Sequence, residues 1–146
     1  DSSGMHFPEK CIRNFMMEGV IAPEHLRAKM GMRLVGCDIC QRVCPLQPQF
    51  AQGKQLGLTL DELMTVNQTE FSQAIAKLSC EIGRNAARPQ RVRAQAALLA
   101  GNSKNVKYLP VLREWAKLPF PAVSEHARWA MKQIEMSGLD RSNKTD

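Results

Sequence analysis

The chain contains 146 residues, and 44% of them are hydrophobic, which suffices for one compact domain or two small ones and argues against extensive disorder. No apolar stretch approaches the roughly 18 residues that a membrane span requires, and no charged and then apolar leader begins the chain, so we expect a soluble cytoplasmic protein with no membrane partner. The formal net charge is +6, and its distribution along the chain is uneven.

Proline and glycine residues delimit the first predicted helices. Pro8 precedes a run of apolar residues with helical spacing that ends near Gly19, and Pro23 begins a second helix that Gly31 closes. Cys11 is therefore predicted to lie on the first helix. No window of the sequence shows the alternation of a β-strand, so the predicted fold class is all-α.

A cysteine motif follows these helices, and we predict that it forms a loop. The sequence CDICQRVCP, which begins at Cys37, matches the second half of the bacterial iron–sulfur run C-x2-C-x2-C-x3-C-P, with Leu34 where the complete run has another cysteine. A [4Fe–4S] cluster requires four thiolates, and Cys11 is the only other cysteine in the N-terminal half. We therefore predict that Cys11, Cys37 and Cys40 bind one cluster. In two-cluster ferredoxins the cysteine before the proline binds the other cluster, so Cys44 is predicted to serve a second one.

Zinc and disulfide bonds are the alternatives for these thiols. Structural zinc usually takes two closely spaced pairs of ligands, a pattern that an isolated Cys11 and a spare Cys44 fit poorly. A disulfide framework requires an even number of cysteines and an oxidising compartment, whereas this chain has five cysteines and no secretory segment. The fifth cysteine, Cys80, lies far from the motif in a helical stretch and is predicted to be buried.

A linker separates the cysteine motif from further helices. Residues 46 to 57 contain Gln, Gly and Pro with little periodicity, which is typical of a linker. Thr59 with Glu62, and Asn67 with Glu70, form two capping patterns ahead of apolar residues. Each pattern predicts the start of a helix.

The excess positive charge lies in one stretch after these helix starts. Residues 80 to 118 contain eight Lys and Arg against two Asp and Glu, and such a stretch can neutralise nucleic-acid phosphates. The candidate nucleic-acid-binding residues are Arg84, Arg88, Arg91, Arg93, Lys104 and Lys107. The alternative is that these charges form an ordinary solvated helical face.

A weak internal repeat spans the last third of the chain. Two sets of three small or apolar residues share the same offsets and are displaced by 31 residues: Val92, Ala96 and Leu99, and Val123, Ala127 and Ala130. Between them, Pro110, Leu112, Trp115 and Leu118 predict the other helix of a pair. Helix pairs with small residues on the packed face are typical of HEAT-like solenoids, and an ordinary helical bundle is the alternative. Trp115 and Trp129 are predicted to belong to the core.

Several of these stretches resemble one family of proteins. The stretch KCIR around Cys11 and the stretch VGCDICQRVCP that ends at Pro45 resemble the second cysteine motif of epoxyqueuosine reductases and their double-cluster ferredoxin-like relatives. The three residues from Arg84, the three that end at Asn102 and the eight from Val123 resemble the HEAT-like tail of the same proteins. The resemblance covers most of the chain.

The resemblance implies a redox role. Members of this family use cobalamin and two [4Fe–4S] clusters to reduce the epoxide of epoxyqueuosine in tRNA, and the clusters relay electrons to the corrin. In that pattern Cys11, Cys37 and Cys40 would share a cluster with the last cysteine of an upstream motif, and Cys44 would complete the other. This sequence contains neither that motif nor a cobalamin-binding α/β domain, and it begins with Asp1. We therefore expect a piece of a longer protein that is not catalytic alone, with cobalamin only in a full-length relative.

These observations predict an all-α chain of two parts. Residues 1 to 50 would form the C-terminal half of a double [4Fe–4S] cluster-binding domain, and residues 58 to 140 would form a HEAT-like helical domain. The predicted function is electron transfer in an oxidoreductase that modifies tRNA, with tRNA, the upstream domain of the same protein or a redox partner docking on the helical part. The competing prediction is a HEAT-like module that binds RNA or protein and whose cysteines hold structural zinc or no metal.

Overall fold

A computed structural model of the chain describes residues 11–46 and 57–142, with side chains up to residue 138. The described residues form helices, turns and connecting segments without a β-strand, which confirms the all-α prediction. Pro8, with which the first helix was predicted to begin, and most of the predicted linker lie outside the described residues. No helix in the described part of the chain is both long and apolar enough to cross a membrane.

The N-terminal segment contains only short helices, and the remaining part contains the long ones. The N-terminal elements are a 3-10 helix, Ile12–Met16, then α1, Glu24–Arg27, with a 3-10 continuation, Ala28–Met30, and α2, Ile39–Arg42. The remaining elements are α3, Leu60–Leu63, α4, Gln68–Ile82, α5, Pro89–Ser103, a 3-10 helix, Val106–Tyr108, α6, Leu109–Trp115, and α7, Pro121–Ser142.

Both predicted capping patterns begin helices, although only one is reciprocal. At the start of α3 the Glu62 N–H donates to Thr59 Oγ1 at 3.3 Å, and the Thr59 N–H donates to Glu62 Oε2 at 2.7 Å. At the start of α4 the Asn67 side chain accepts from the N–H groups of Thr69 and Glu70. The Glu70 carboxylate accepts a hydrogen bond from the Asn67 side-chain amide. In a reciprocal capping box it would accept one from the Asn67 backbone N–H. Local hydrogen bonds therefore fix where both helices begin.

Helix α5 is the centre of the core. Ten of its fifteen residues are buried, and it packs mainly against α7, which also contacts α6. All six residues of the predicted repeat are buried, as are Trp115 and Trp129. Small residues permit the close crossing of α5 and α7, because a Cβ atom added to Gly101 would lie 2.8 Å from the Cα of Ala130. Helices α5, α6 and α7 lie where the repeat predicts helices, and their HEAT-like arrangement stays a prediction.

The N-terminal segment shares this core. Met16, Ala22 and Met30 are fully buried and belong to the same hydrophobic cluster as the residues of α5 and α7. The short helices of the segment therefore gain their stability from packing against the long ones, since an isolated helix of one turn is unstable in water.

Three details differ from the prediction. Cys11 has an extended backbone and immediately precedes the first 3-10 helix, so it does not lie on a helix. The cysteine motif is not entirely a loop, because Cys40 lies within the single turn of α2. Cys80 was predicted to be buried and is exposed on α4, because α4 turns its face of Phe71, Ala74 and Leu78 toward the core.

Candidate cluster-binding and nucleic-acid-binding sites

The four cysteines of the predicted cluster site lie at or near the surface. Cys11, Cys37 and Cys44 are half-buried, Cys40 is exposed, and all four are free thiols. Free, accessible thiols are the soft ligands that iron–sulfur clusters take, so the donor set fits the chemistry of the group. In the described ranges no three His, Cys, Asp or Glu side chains are grouped so that they could hold a metal ion. The shared ligation of one cluster by Cys11, Cys37 and Cys40 therefore stays a prediction.

An ion pair supports the turn that carries the cysteine motif. Arg42 Nε donates to Asp38 Oδ2 at 2.6 Å, and Arg33 Nε lies 4.0 Å from the other carboxylate oxygen. The hydrogen bond from Arg42 lowers the pKa of the Asp38 carboxyl, which stays ionised at neutral pH. Both arginines and the aspartate line an open groove beside Cys37. Gly36 directly precedes the motif and has a φ of 73°, a conformation that favours glycine.

A buried histidine anchors the N-terminal segment to the helices. The Nε2 atom of His126, on α7, accepts a hydrogen bond from the Ala22 N–H at 3.0 Å. Its Nδ1 lies 3.0 Å from the Ala94 carbonyl oxygen on α5. A backbone N–H can only donate and a carbonyl can only accept, so the ring is neutral with its proton on Nδ1. Burial lowers the pKa of His126 to about 4, in agreement with the neutral form.

An arginine and an asparagine complete this anchor. Arg27 is buried, its Nε donates to the Ala22 carbonyl at 2.8 Å, and its guanidinium lies 3.3 Å from Glu125 Oε1. The side-chain amide of Asn102 donates to the carbonyl oxygens of Arg27 at 3.1 Å and Gly31 at 2.9 Å. These bonds satisfy the last carbonyl groups of the short helices that precede the cysteine motif.

The sequence alone does not indicate a role for these anchoring residues. Asn102, Glu125 and His126 lie in the stretches that carry the family resemblance, and polar residues beside small apolar ones on one helix were the available signal. The structure explains them as an interface between the N-terminal segment and α5 and α7, in which every named polar group has a partner.

The predicted basic residues divide into two groups. Arg84, Arg88 and Arg91 line one cleft of about 690 Å³ together with Arg13 of the N-terminal segment. They do not lie on one helix, because Arg84 belongs to the turn before α5 and Arg88 is the residue that precedes its first turn. The remaining three, Arg93, Lys104 and Lys107, are not among the residues that line the cleft.

The structure gives these three residues other surroundings. The Arg93 guanidinium lies 4.0 Å from the centre of the Phe71 ring and donates to the Gln68 side chain at 2.8 Å. Lys107 donates to the Asp61 carboxylate at 2.8 Å. Lys104 is exposed and ends α5 with a left-handed backbone, at a φ of 54°. Arg93 and Lys107 thus have partners within the chain, and so does Arg88 of the cleft, which pairs with Glu18. Arg84 and Arg91 are therefore the better candidates for an anion.

Known proteins with similar sequences are epoxyqueuosine reductases. The enzyme of Bacillus subtilis is 28% identical over 136 residues, which cover 86% of this chain and 34% of that protein. The enzyme of Shewanella oneidensis is 30% identical over an alignment of 155 positions, gaps included, that covers 92% of this chain and 37% of that protein. The chain thus spans about a third of the length of the curated relatives that it matches. No protein-family model matches the chain.

Solved structures with a similar fold carry the same name. One is the Bacillus subtilis epoxyqueuosine reductase with its catalytic loop swung out of the active site, at a TM-score of 0.66 and 25% identity, covering 98% of this chain and 41% of that one. Another is an epoxyqueuosine reductase with an epoxyqueuosine-modified tRNA-Tyr stem loop, at a TM-score of 0.65, with the same identity and coverage.

Both the sequence and the fold of this chain are similar to one family of proteins. That family is the epoxyqueuosine reductases, so the predicted resemblance is confirmed for the part of the family's length that this chain spans.

Proposed function

We propose that this chain is the part of an epoxyqueuosine-reductase-like oxidoreductase that supplies cysteine ligands to two [4Fe–4S] clusters and relays electrons during tRNA modification in the cytoplasm. Cys11, Cys37 and Cys40 would hold one cluster, and Cys44 would complete the other. When bound, the clusters supply one-electron transfer. Cobalamin would be held by another part of such a protein, and none of the residues named above is proposed to bind it.

One observation supports this proposal most directly. The motif C-x2-C-x3-C-P lies directly after a segment that α5 and α7 hold through two hydrogen bonds: His126 accepts one from the Ala22 N–H, and Asn102 donates one to the Gly31 carbonyl. Electron transfer requires that the cluster ligands keep a fixed position relative to the protein that docks the substrate. A segment anchored by satisfied buried polar groups meets that requirement better than a free tail would.

The helical part would dock the RNA. A solved relative contains a tRNA stem loop, and this chain covers 41% of that relative. The paired helices α5, α6 and α7 are proposed to be HEAT-like, and the arginines of the cleft supply the positive charge that a phosphate backbone requires.

A module that binds RNA or protein, with zinc or no metal, is the second candidate. The described part of the chain groups no three side chains that could hold a metal ion, and this favours only the metal-free form of that candidate. Such a protein would be colourless, whereas an iron–sulfur protein prepared without oxygen is brown.

Cluster content tests the proposal. The chain is joined to an upstream half that carries the motif C-x2-C-x2-C-x3-C-P, and iron and sulfide are supplied without oxygen. We expect about eight iron and eight sulfide per chain, the content of two [4Fe–4S] clusters. Cys40→Ser should lower both values. Cys80→Ser is the matched control and should leave them unchanged, because Cys80 lies on α4, outside the motif. Iron content no higher than that of the chain alone would refute the proposal, and a colourless protein with bound zinc would favour the second candidate.

A further inference from the structure

A strongly basic cleft lies where the N-terminal segment meets the connection between α4 and α5. Its volume is about 690 Å³, and its charged lining residues are Arg13, Glu18, Arg84, Arg88 and Arg91. Four arginines and one glutamate therefore line the same cleft. This excess of positive charge raises the concentration of anions in the cleft.

Arg91 is the unusual residue of this cleft. Arg91 is only 5% exposed, and its Nε has no hydrogen-bond partner among the described residues. Burial lowers the pKa of the Arg91 guanidinium, the neighbouring Arg13 lowers it further, and Glu18 opposes both effects. A buried cation with an unsatisfied N–H is costly unless an anion or another acceptor completes its surroundings.

The positive charge of the other cleft arginines is only partly neutralised within the chain, so the cleft can bind such an anion. Glu18 forms an ion pair with Arg88, whose Nη1 donates to Glu18 Oε2 at 2.6 Å. Arg84 is exposed and takes part in no hydrogen bond or ion pair between described residues. Helix α5 begins beside the cleft with no side-chain cap and no acidic residue in its first turn. The N–H groups of that turn add a partial positive charge.

We propose that this cleft binds a backbone phosphate of RNA, with Arg84 and Arg91 as its ligands and Glu18 as a carboxylate that competes with the phosphate for Arg88. The proposal rests on the proposed docking of RNA and narrows it to one site. A guanidinium can bind a phosphate through two parallel N–H···O bonds. A phosphate has several acceptor oxygens, so neighbouring arginines can bind the same one. Arg13, Arg84 and Arg88 are exposed, so a phosphate that remains linked to its neighbouring nucleotides can enter.

The site joins the two parts of the chain. Arg13 and Glu18 belong to the N-terminal segment, and Arg84 and Arg91 belong to the helical part. An RNA phosphate held by Arg84 and Arg91 would lie in the same cleft as Arg13, which follows Cys11 by two residues in the sequence. The cleft would therefore position RNA relative to the cysteine segment, which a basic patch on α5 alone could not do.

The test measures the affinity of the full chain for a fluorescent tRNA stem loop by anisotropy at a series of salt concentrations. Arg84→Ala should weaken binding roughly tenfold, because a charge-assisted hydrogen bond is lost. It should also make the log–log salt slope shallower by about 0.7 to 0.9. Glu18→Gln should tighten binding by up to about fivefold, because the competing carboxylate is removed. Arg91 is buried and its replacement would disturb the core, so the test relies on exposed Arg84 and on Glu18.

Arg113→Ala is the matched control. Arg113 is exposed on α6, belongs to the same basic stretch and does not line the cleft. Its loss should change the affinity by no more than about twofold, the effect of a distant screened charge. Inorganic phosphate is the second probe, and Arg84→Ala should weaken its competition with the stem loop.

The possible outcomes distinguish a failure of the phosphate site from a failure of RNA docking as a whole. Equal affinities of the wild type and Arg84→Ala, with RNA still bound, would overturn the phosphate site and leave RNA docking to another surface. Equal weakening by Arg84→Ala and Arg113→Ala would also overturn it, because binding would then be diffuse. Failure of the wild type to bind RNA at low salt would refute the docking of RNA itself, whereas the cluster assignment would still be decided by iron content.

Discussion

Replacement of Gly101 by alanine should destabilise the protein although alanine is the better helix former. A Cβ atom at position 101 would lie 2.8 Å from the Cα of Ala130, 2.8 Å from Cζ3 of Trp129 and 2.9 Å from the Cβ of Ala130. Carbon atoms in contact are ordinarily about 3.5 to 4.0 Å apart. Two of these three atoms belong to Ala130, whose backbone and Cβ cannot rotate away, so α5 and α7 would have to separate.

Two opposing terms determine the magnitude of this effect. Alanine in place of glycine stabilises a helix interior by about 1 kcal/mol. Overpacking of a tight core costs typically about 1 to 3 kcal/mol, and a clash with backbone places this position at the upper end of that range. The expected net loss in the free energy of unfolding is therefore about 2 kcal/mol, or roughly 4 to 8 °C in Tm for a chain of this size.

Urea unfolding followed by far-ultraviolet circular dichroism measures this loss. Gly138→Ala is the matched control, because Gly138 also lies in a long helix but an added Cβ would meet no atom within 4 Å. It should gain about 0.5 to 1 kcal/mol from helix propensity alone. If Gly101→Ala unfolded at the same urea concentration as the wild type, or at a higher one, the close crossing of α5 and α7 would be refuted.

Two further predictions concern the anchor of the N-terminal segment. In the folded protein the pKa of His126 is about 4, against an ordinary value of 6.5, so its contribution to stability is complete above pH 6.5 and falls by about 3 kcal/mol as the pH drops to 4. Urea unfolding at a series of pH values checks this, and stability that does not change between these pH values would contradict the buried neutral ring. Asn102→Ala should cost about 1 to 3 kcal/mol, because the carbonyl groups of Arg27 and Gly31 lose their donor. It should also speed amide hydrogen exchange in residues 20 to 33 more than in α4, and an equal increase in both would contradict a local anchor.

Features that depend on residues close together in sequence were predictable. The capping box of Thr59 and Glu62 requires only two side chains three positions apart, and it forms as predicted. The buried faces of α5 and α7 followed from the spacing of small and apolar residues, because the helical period places such residues on one side. The cysteine motif and its family resemblance are equally local, since they are properties of spacing and residue type.

The tertiary structure was needed for features that depend on how the helices pack against one another. Cys80 is exposed because α4 packs through Phe71 and not through its opposite face, and Arg93 lies over the Phe71 ring for the same reason. The cleft combines Arg13 with Arg84 and Arg91, which are more than 70 residues further along the chain.

His126 shows the same limit most clearly, because its partner Ala22 lies 104 residues away in sequence. Local sequence determines helices and their apolar faces, because their energies depend on neighbouring residues. The partners of buried charges and polar groups are determined only when distant segments pack together, because an unpaired polar group is costly only once packing has removed it from water.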